Sequence, residues 1–124
     1  MFFKAKTFSR WARKIISDDA FCHVAREIQS SVFKVDLGGR LCKKRVGLLG
    51  KGKSGSWRTL FAQKHKDAIF FLAGREKSQP SADFSDQEVE TAKVISAGLQ
   101  AANATTLAQL LATEILKDVC TVSE

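Results

Sequence analysis

The 124-residue chain has no tyrosine, one proline and one methionine, and it lacks long hydrophobic runs. No stretch approaches the roughly 20 consecutive apolar residues that a membrane-spanning helix needs. At the N-terminus, only Met1, Phe2 and Phe3 precede the first charged side chain, Lys4. We therefore expect neither a signal peptide nor a membrane anchor, and we expect a cytoplasmic protein.

Cysteine and histidine are sparse and are not arranged for a metal or a disulfide framework. Cys22, Cys42 and Cys120 are odd in number and widely spaced, with no CxxC pair. That pattern is typical of free thiols that pack inside a protein of a reducing cytosol. Neither histidine has a partner at a metal-ligand spacing, so we expect no metal and no cofactor. A GxSxG elbow is missing too, which argues against a serine nucleophile.

Charge is distributed unevenly along a chain whose formal net charge is +7. Residues 37–66 contain nine Lys and Arg side chains and no Asp or Glu, whereas from residue 67 onward four cations face nine acids. Solubility alone is normally served by mixed signs, although exposed strands often carry solubilising lysines. A long segment without a carboxylate favours polyanion binding, and we predict the contact surface around residues 40–58.

The apolar pattern predicts an α+β fold, a small antiparallel sheet flanked by N-terminal and C-terminal helices. A strand start at residues 2–6 precedes a helical turn that Thr7 or Ser9 can cap. Residues 17–19 supply an N-cap signal and first-turn acids for a second helix, or for the second part of one bent helix. The apolar stripe of this second helix consists of Phe21, Val24 and Ile28.

An antiparallel meander is predicted for the middle of the chain. The Gly38-Gly39 pair signals a turn before it, and a glycine-rich segment, residues 50–56, connects its first two strands. The last strand is fully apolar, which is typical of a central strand. The three predicted strands are residues 41–49, 57–65 and 68–73.

Two helices are predicted in the C-terminal part. Ser85 and Glu88 have the spacing of a capping box, and Thr105 or Thr106 can cap the last helix. The apolar positions of the two helices are Val89, Ala92, Ile95 and Leu99, then Leu107, Leu110, Leu111 and Ile115. Because the chain has no repeat and no low-complexity linker, we expect one domain over residues 1–124.

The glycine-rich segment contains Gly-Lys-Ser, which also occurs in phosphate-binding P-loops. A P-loop needs a helix after this sequence, and here the pattern predicts a strand, so nucleoside triphosphate binding is not expected. Lys51 and Lys53 in a glycine-rich loop instead suit contacts with a polyphosphate chain.

Alternation along the first strand of the meander puts Lys43 and Arg45 on one face and Lys44 on the other. At a rise of about 3.3 Å per residue, the first two cations lie about 7 Å apart, close to the phosphate spacing of a nucleic acid. Arg58 begins the next strand, where phosphate binding competes with a surface ion pair as its role. Trp57 is either a platform for base stacking or part of the core.

Taken together, four segments resemble the RelE-type toxins of bacterial toxin-antitoxin pairs, in the subgroup related to HigB. The resemblance covers roughly residues 2–100, is strongest over 32–77, and leaves 101–124 as an extra C-terminal helix. The segments are VFKVDLGG (32–39), LCKKRV (41–46), GKGKSGSWRT (50–59) and AIFFL (68–72).

The resemblance implies a RelE-like fold and a metal-independent, ribosome-dependent mRNA endonuclease. The implied partners are the ribosome, mRNA and a cognate antitoxin, often of the helix-turn-helix type. By the same resemblance, the catalytic cations are Lys43, Arg45, Arg58 and Lys77. We assign RNA binding to Lys44, Lys51, Lys53, Trp57 and Arg75.

The chain also departs from this family. Relatives usually have an arginine where this chain has residues 78–80, and Arg75 is the candidate substitute. Several relatives use a tyrosine near the end of the site, where Phe84 could stack on a base but cannot move a proton. Two alternatives therefore stay open: an RNA- or antitoxin-binding member without nuclease activity, and a ParE-like toxin directed at gyrase.

Overall fold

A computed structural model describes residues 1–30, 34–48, 52–64, 68–76 and 83–120, without the side chains of 47–48 and 52–56. The strands are β1 (Phe2–Ala5), β2 (Val35–Gly38), β3 (Leu41–Leu48), β4 (Gly52–Lys64), β5 (Ala68–Glu76) and β6 (Leu116–Val119). The helices are α1 (Lys6–Ala12), α2 (Asp18–Ser30), α3 (Asp86–Ala101) and α4 (Ala104–Ala112).

The six strands form one sheet in the order β2-β3-β4-β5-β1-β6. Strands β3, β4 and β5 are the predicted antiparallel meander, and β5 lies inside the sheet. Strand β1 pairs with β5 in parallel, with Phe2 opposite Ile69. The predicted α+β class is thus confirmed, with one difference: the sheet is mixed, because β1 lies parallel to β5 while the other strand pairs are antiparallel.

Helices cover both faces of the sheet, and an apolar layer lies under each pair. Helices α1 and α2 pack on one face through an aromatic cluster, and α3 and α4 pack on the other. We call these the α1/α2 face and the α3/α4 face. The aromatic cluster on the α1/α2 face consists of Phe8, Trp11, Phe21, Trp57, Phe61 and Phe71.

Several local predictions are confirmed. The stripe of α2 is buried as expected, and Ser17 Oγ accepts a hydrogen bond from the Ala20 N–H at its start. The capping box of α3 is present in both directions, with Ser85 N–H donating to Glu88 Oε1 and Glu88 N–H donating to Ser85 Oγ. The predicted turn is present between β2 and β3: Gly38 ends β2 with φ of 94°, and Gly39 and Arg40 form the turn with φ of 62° and 61°.

Other element boundaries differ from the prediction. Helix α1 begins at Lys6 behind Ala5, so neither Thr7 nor Ser9 caps it, and Asn103 rather than a threonine caps α4. Strand β4 begins at Gly52, so part of the predicted hairpin connection is strand. Strands β2 and β6 were not predicted. The last helix was predicted to extend to Ile115, but α4 ends at Ala112 and is followed by β6.

Cys22 and Cys120 form a disulfide, with 5.4 Å between their Cα atoms. The prediction of three free thiols is therefore wrong for these two, because β6 runs back beside α2 across 98 residues of sequence. Cys42 is a free, buried cysteine as predicted, and burial raises the pKa of its thiol. None of the described helices is long and apolar enough to cross a membrane.

Candidate nucleic-acid interface

Three arginines lie side by side on three neighbouring strands. Arg45 of β3 is the direct cross-strand partner of Arg58 of β4, and Arg58 is in turn the partner of Arg75 of β5. With strands about 4.8 Å apart, the three Cα atoms span roughly 10 Å. Lys43 lies two residues before Arg45 on the same face of β3. We call Lys43, Arg45, Arg58 and Arg75 the basic row.

A bulge in β5 puts Arg75 in this row. The β4–β5 register pairs Phe61 with Phe71 but Leu60 with Ala73, so Leu72 is the extra residue. Leu72 and Ala73 both pack into the α3/α4 layer. Simple alternation from Phe70 would turn Arg75 toward the α1/α2 face, and the extra residue reverses that direction.

Lys43 donates a hydrogen bond to Asp83, with Nζ 2.7 Å from Oδ2. The Lys43 side chain is 24% exposed and that of Asp83 is 51% exposed. The hydrogen bond from Lys43 holds the pKa of Asp83 below its usual value, against a smaller opposing effect of burial. The Phe84 N–H and the nearby charge of Arg58 lower this pKa further. Asp83 is thus an ionised carboxylate at the edge of the row.

Arg75 approaches a second carboxylate at the first turn of α3. Its Nη1 lies 3.9 Å from Glu88 Oε1, the same oxygen that accepts the Ser85 N–H. Glu88 therefore links the capping box of α3 to the basic row. The Arg75 side chain is 18% exposed, so its position is restricted on several sides.

The neighbouring positions of the arginines in the basic row reduce the stability of the folded chain. Like charges directly opposite each other on neighbouring strands are destabilising, and the row contains two such pairs in succession, Arg45–Arg58 and Arg58–Arg75. Arginine donors can hold phosphate oxygens in pairs. A multivalent anion across the row would convert this repulsion into attraction.

A mostly apolar groove of about 390 Å³ lies between the middle of β5 and the first half of α3. Leu72, Ala92 and Ile95 supply apolar wall, and Thr91 and Glu88 supply polar groups. Glu88 belongs both to the groove and to the contact with Arg75. Apolar walls with a few polar groups suit a flat heterocycle such as a nucleobase.

Two predicted RNA-binding residues are not brought to the row. Lys44 lies on the opposite face of β3, in register with Thr59. Trp57 is 1% exposed and packs between Phe8 and Trp11, so the core alternative holds for it and the stacking assignment is corrected. The sequence alone could not distinguish base stacking from core packing for Trp57, because tryptophan occurs in both roles.

Three further predicted residues are not placed. Lys51 and Lys77 lie outside the described residues, and Lys53 belongs to β4 with its side chain outside the description. Gly47 and Gly52-Lys53-Ser54 have the spacing of a P-loop, GxxxxGK[ST]. A P-loop continues as a helix, whereas this segment continues as strand β4, so the P-loop interpretation is not supported.

Two site residues were missed from the sequence, namely Asp83 and Glu88. Both reach the row because α3 and the residues just before it pack against the sheet. The capping box had correctly predicted that Glu88 lies in the first turn of a helix, but not that it contacts the row. Within the described ranges, no group of three His, Cys, Asp or Glu side chains could hold a metal ion.

Comparison with known protein families identifies a match. A family model described as "RelE toxin of RelE / RelB toxin-antitoxin system" matches residues 1–119. The match continues past residue 100, where the resemblance seen in the sequence ended, and includes β6. No curated protein matches the sequence.

Proposed function

Since the chain belongs to the RelE toxin family of toxin-antitoxin systems, we propose that it is an endoribonuclease that cleaves mRNA on the ribosome and binds the RNA backbone with its basic row. Membership implies a cognate antitoxin as partner.

The row suits the charge that develops when RNA is cut. A ribose 2′-OH attacks the adjacent phosphorus, the bond to the 5′ oxygen breaks, and the products are a 2′,3′-cyclic phosphate and a 5′-OH. Negative charge builds on the phosphate oxygens in this transition state. Fixed cations stabilise that charge without any metal. Arg45 and Arg58 are the central pair, and Lys43 and Arg75 continue the row on either side.

The single observation that carries the proposal is the register of Arg45, Arg58 and Arg75 across three strands. The groove supports it, because Glu88 lines the groove and also contacts Arg75, so a base bound in the groove would have its phosphate near the row. Single-stranded RNA is the form of RNA whose bases are free to do this.

The test is induced expression of the wild type and of the Arg45→Ala, Arg58→Ala double variant, with growth curves and 5′-end mapping of a translated reporter mRNA. A matched control is Lys14→Ala, Lys93→Ala, which removes the same charge from side chains on α3 and on the segment after α1. We expect wild type and control to arrest growth with new cuts in the reporter. The double variant should do neither.

A binding member without nuclease activity is the second candidate, because the chain has no tyrosine to transfer a proton. It predicts harmless expression and an intact reporter, together with RNA binding by the purified protein that depends on Arg45 and Arg58. Growth arrest with an intact reporter and inhibited supercoiling would instead support the gyrase-directed alternative.

A further inference from the structure

A second cavity, of about 640 Å³, lies on the α1/α2 face, whereas the basic row lies on the α3/α4 face. Strands β1 and β6 and the start of α2 form its walls, and the disulfide between Cys22 and Cys120 closes one side. Polar and charged side chains make up most of its lining. The proposed function assigns nothing to this cavity.

Lys4 lies in this cavity with its side chain only 5% exposed. Its ammonium is 4.2 Å from the centre of the Phe21 ring and 3.5 Å from Asp18 Oδ1. Lysine is rarely so buried unless it is well paired, and Asp18 is a weak partner because its side chain is 89% exposed. Burial lowers the pKa of Lys4, Asp18 partly offsets that, and Lys117 lowers it further.

Lys117 of β6 is the direct cross-strand partner of Lys4 in the β1–β6 pairing, and it lines the same cavity. Two lysines in this relation repel each other. Position 117 is exposed, so strand formation at this position does not require a lysine. An anion between the two ammonium groups would remove the repulsion and supply acceptors for the buried one.

The rest of the lining has both signs. Arg13 and Arg26 add positive charge, and the carboxylates that oppose it are Asp18, Asp19 and Asp118. All three of these aspartates are exposed, so their side chains can be hydrated while Lys4 is not. His23 also lines the cavity, but its Nε2 is 3.2 Å from Glu27 Oε1.

We propose that this cavity binds the phosphate or pyrophosphate group of a small ligand, with the ammonium of Lys4 as the buried donor and Lys117 and Arg13 at the rim. The site is separate from the basic row and does not depend on the proposed nuclease function. A volume of about 640 Å³ leaves room for more than the phosphate group itself.

The test is calorimetric titration of the full chain with pyrophosphate at constant ionic strength, in the Arg45→Ala, Arg58→Ala background that disables the basic row. To this background we add Lys4→Met, Lys117→Ala or the control Lys93→Met. Methionine fills nearly the same space as lysine. The charge left behind by Lys4→Met is that of Asp18, which is 89% exposed and stays hydrated, so the variant has no buried unpaired charge and should fold. Circular dichroism checks this for each variant.

We expect saturable one-to-one binding of pyrophosphate in the background and in Lys93→Met, weaker binding by at least about tenfold in Lys4→Met, and an intermediate loss in Lys117→Ala. Parallel titrations with inorganic phosphate and with a nucleoside diphosphate distinguish a free anion from a nucleotide as the source of the group. No saturable heat with any of the three probes would overturn the proposal. Equal binding in Lys4→Met and Lys93→Met would overturn it as well.

Discussion

The ammonium of Lys43 lies 2.7 Å from Oδ2 of Asp83, so one cation of the basic row is occupied by a carboxylate of the chain itself. Asp83 also approaches Arg58, whose charge contributes to lowering the pKa of Asp83. An RNA phosphate that binds to Lys43 and Arg58 therefore competes with this carboxylate.

Replacing Asp83 by asparagine should strengthen RNA binding, because the competing charge is removed while the shape is kept. For a pair this exposed we expect a gain of about 1 kcal/mol, which corresponds to roughly fivefold tighter binding. Fluorescence anisotropy with a single-stranded RNA oligonucleotide measures it. Asp86→Asn is the control, since it removes the same charge from the exposed first turn of α3. Equal gains in both variants would show that only net charge matters.

The salt dependence of the same binding should report how many row cations contact phosphate. For single-stranded nucleic acid, the slope of log K against log salt changes by about 0.7 for each phosphate contact. The Arg45→Ala, Arg58→Ala variant should therefore have a slope that is shallower by about 1.4. The Lys14→Ala, Lys93→Ala control should keep the wild-type slope. A double variant with weaker binding but an unchanged slope would contradict phosphate contact by these arginines.

The contribution of Asp83 to folding stability should depend on pH in one direction. Because its pKa is lower in the folded chain, its stabilising effect is present above the unfolded pKa of about 3.9 and is lost as the pH falls through the folded pKa. Since the side chain is half exposed, we expect less than about 1 kcal/mol at neutral pH. Urea unfolding of wild type and Asp83→Asn should give different midpoints at pH 7 and converging midpoints in acid. If the difference between the two midpoints grew in acid, the predicted direction of the pH dependence would be wrong.

Sequence predicted the parts of this fold that depend on near neighbours. The capping box of α3 and the apolar stripe of α2 involve residues within a few positions of each other, and both are confirmed. The separation of Lys43 and Arg45 from Lys44 follows from the alternation of a strand, and the register agrees with it.

The rest depends on contacts between distant segments. A single extra residue, Leu72, decides which face Arg75 occupies, and no local pattern in that apolar strand marks the bulge. Strand β6 is only four residues long and follows a helical pattern, so it becomes visible only through its pairing with β1. That pairing in turn brings Cys120 to Cys22 and Lys117 to Lys4.

The Cys22–Cys120 disulfide should be a large contributor to stability, because it closes a loop of 98 residues. For a loop of this length, the chain-entropy estimate is about 4.7 kcal/mol. A reducing agent should therefore lower the urea midpoint of the wild type and leave a Cys22→Ser, Cys120→Ser variant unchanged. Thiol titration of the denatured, oxidised chain should find Cys42 alone reactive. Three reactive thiols would show that the bond does not form.

Two glycine-to-alanine substitutions should change stability in opposite directions. A Cβ at Gly74 would lie 2.1 Å from Cζ3 of Trp11, whereas a Cβ at Gly98 in α3 would meet nothing within 4 Å. Trp11 packs edge-on against the buried Trp57, with 5.4 Å between ring centroids, so its ring cannot shift without disturbing the core. We expect Gly74→Ala to cost about 1–3 kcal/mol and to alter tryptophan fluorescence.

Gly98→Ala should instead add about 0.5–1 kcal/mol, because alanine loses less backbone entropy in a helix. Urea unfolding followed by both fluorescence and circular dichroism measures the two variants under the same conditions. Gly74 continues the alternation of β5 just beyond the bulge, on the face opposite Arg75. If Gly74→Ala were as stable as the wild type with unchanged fluorescence, position 74 would not face Trp11, and the placement of Arg75 in the basic row would fail with it.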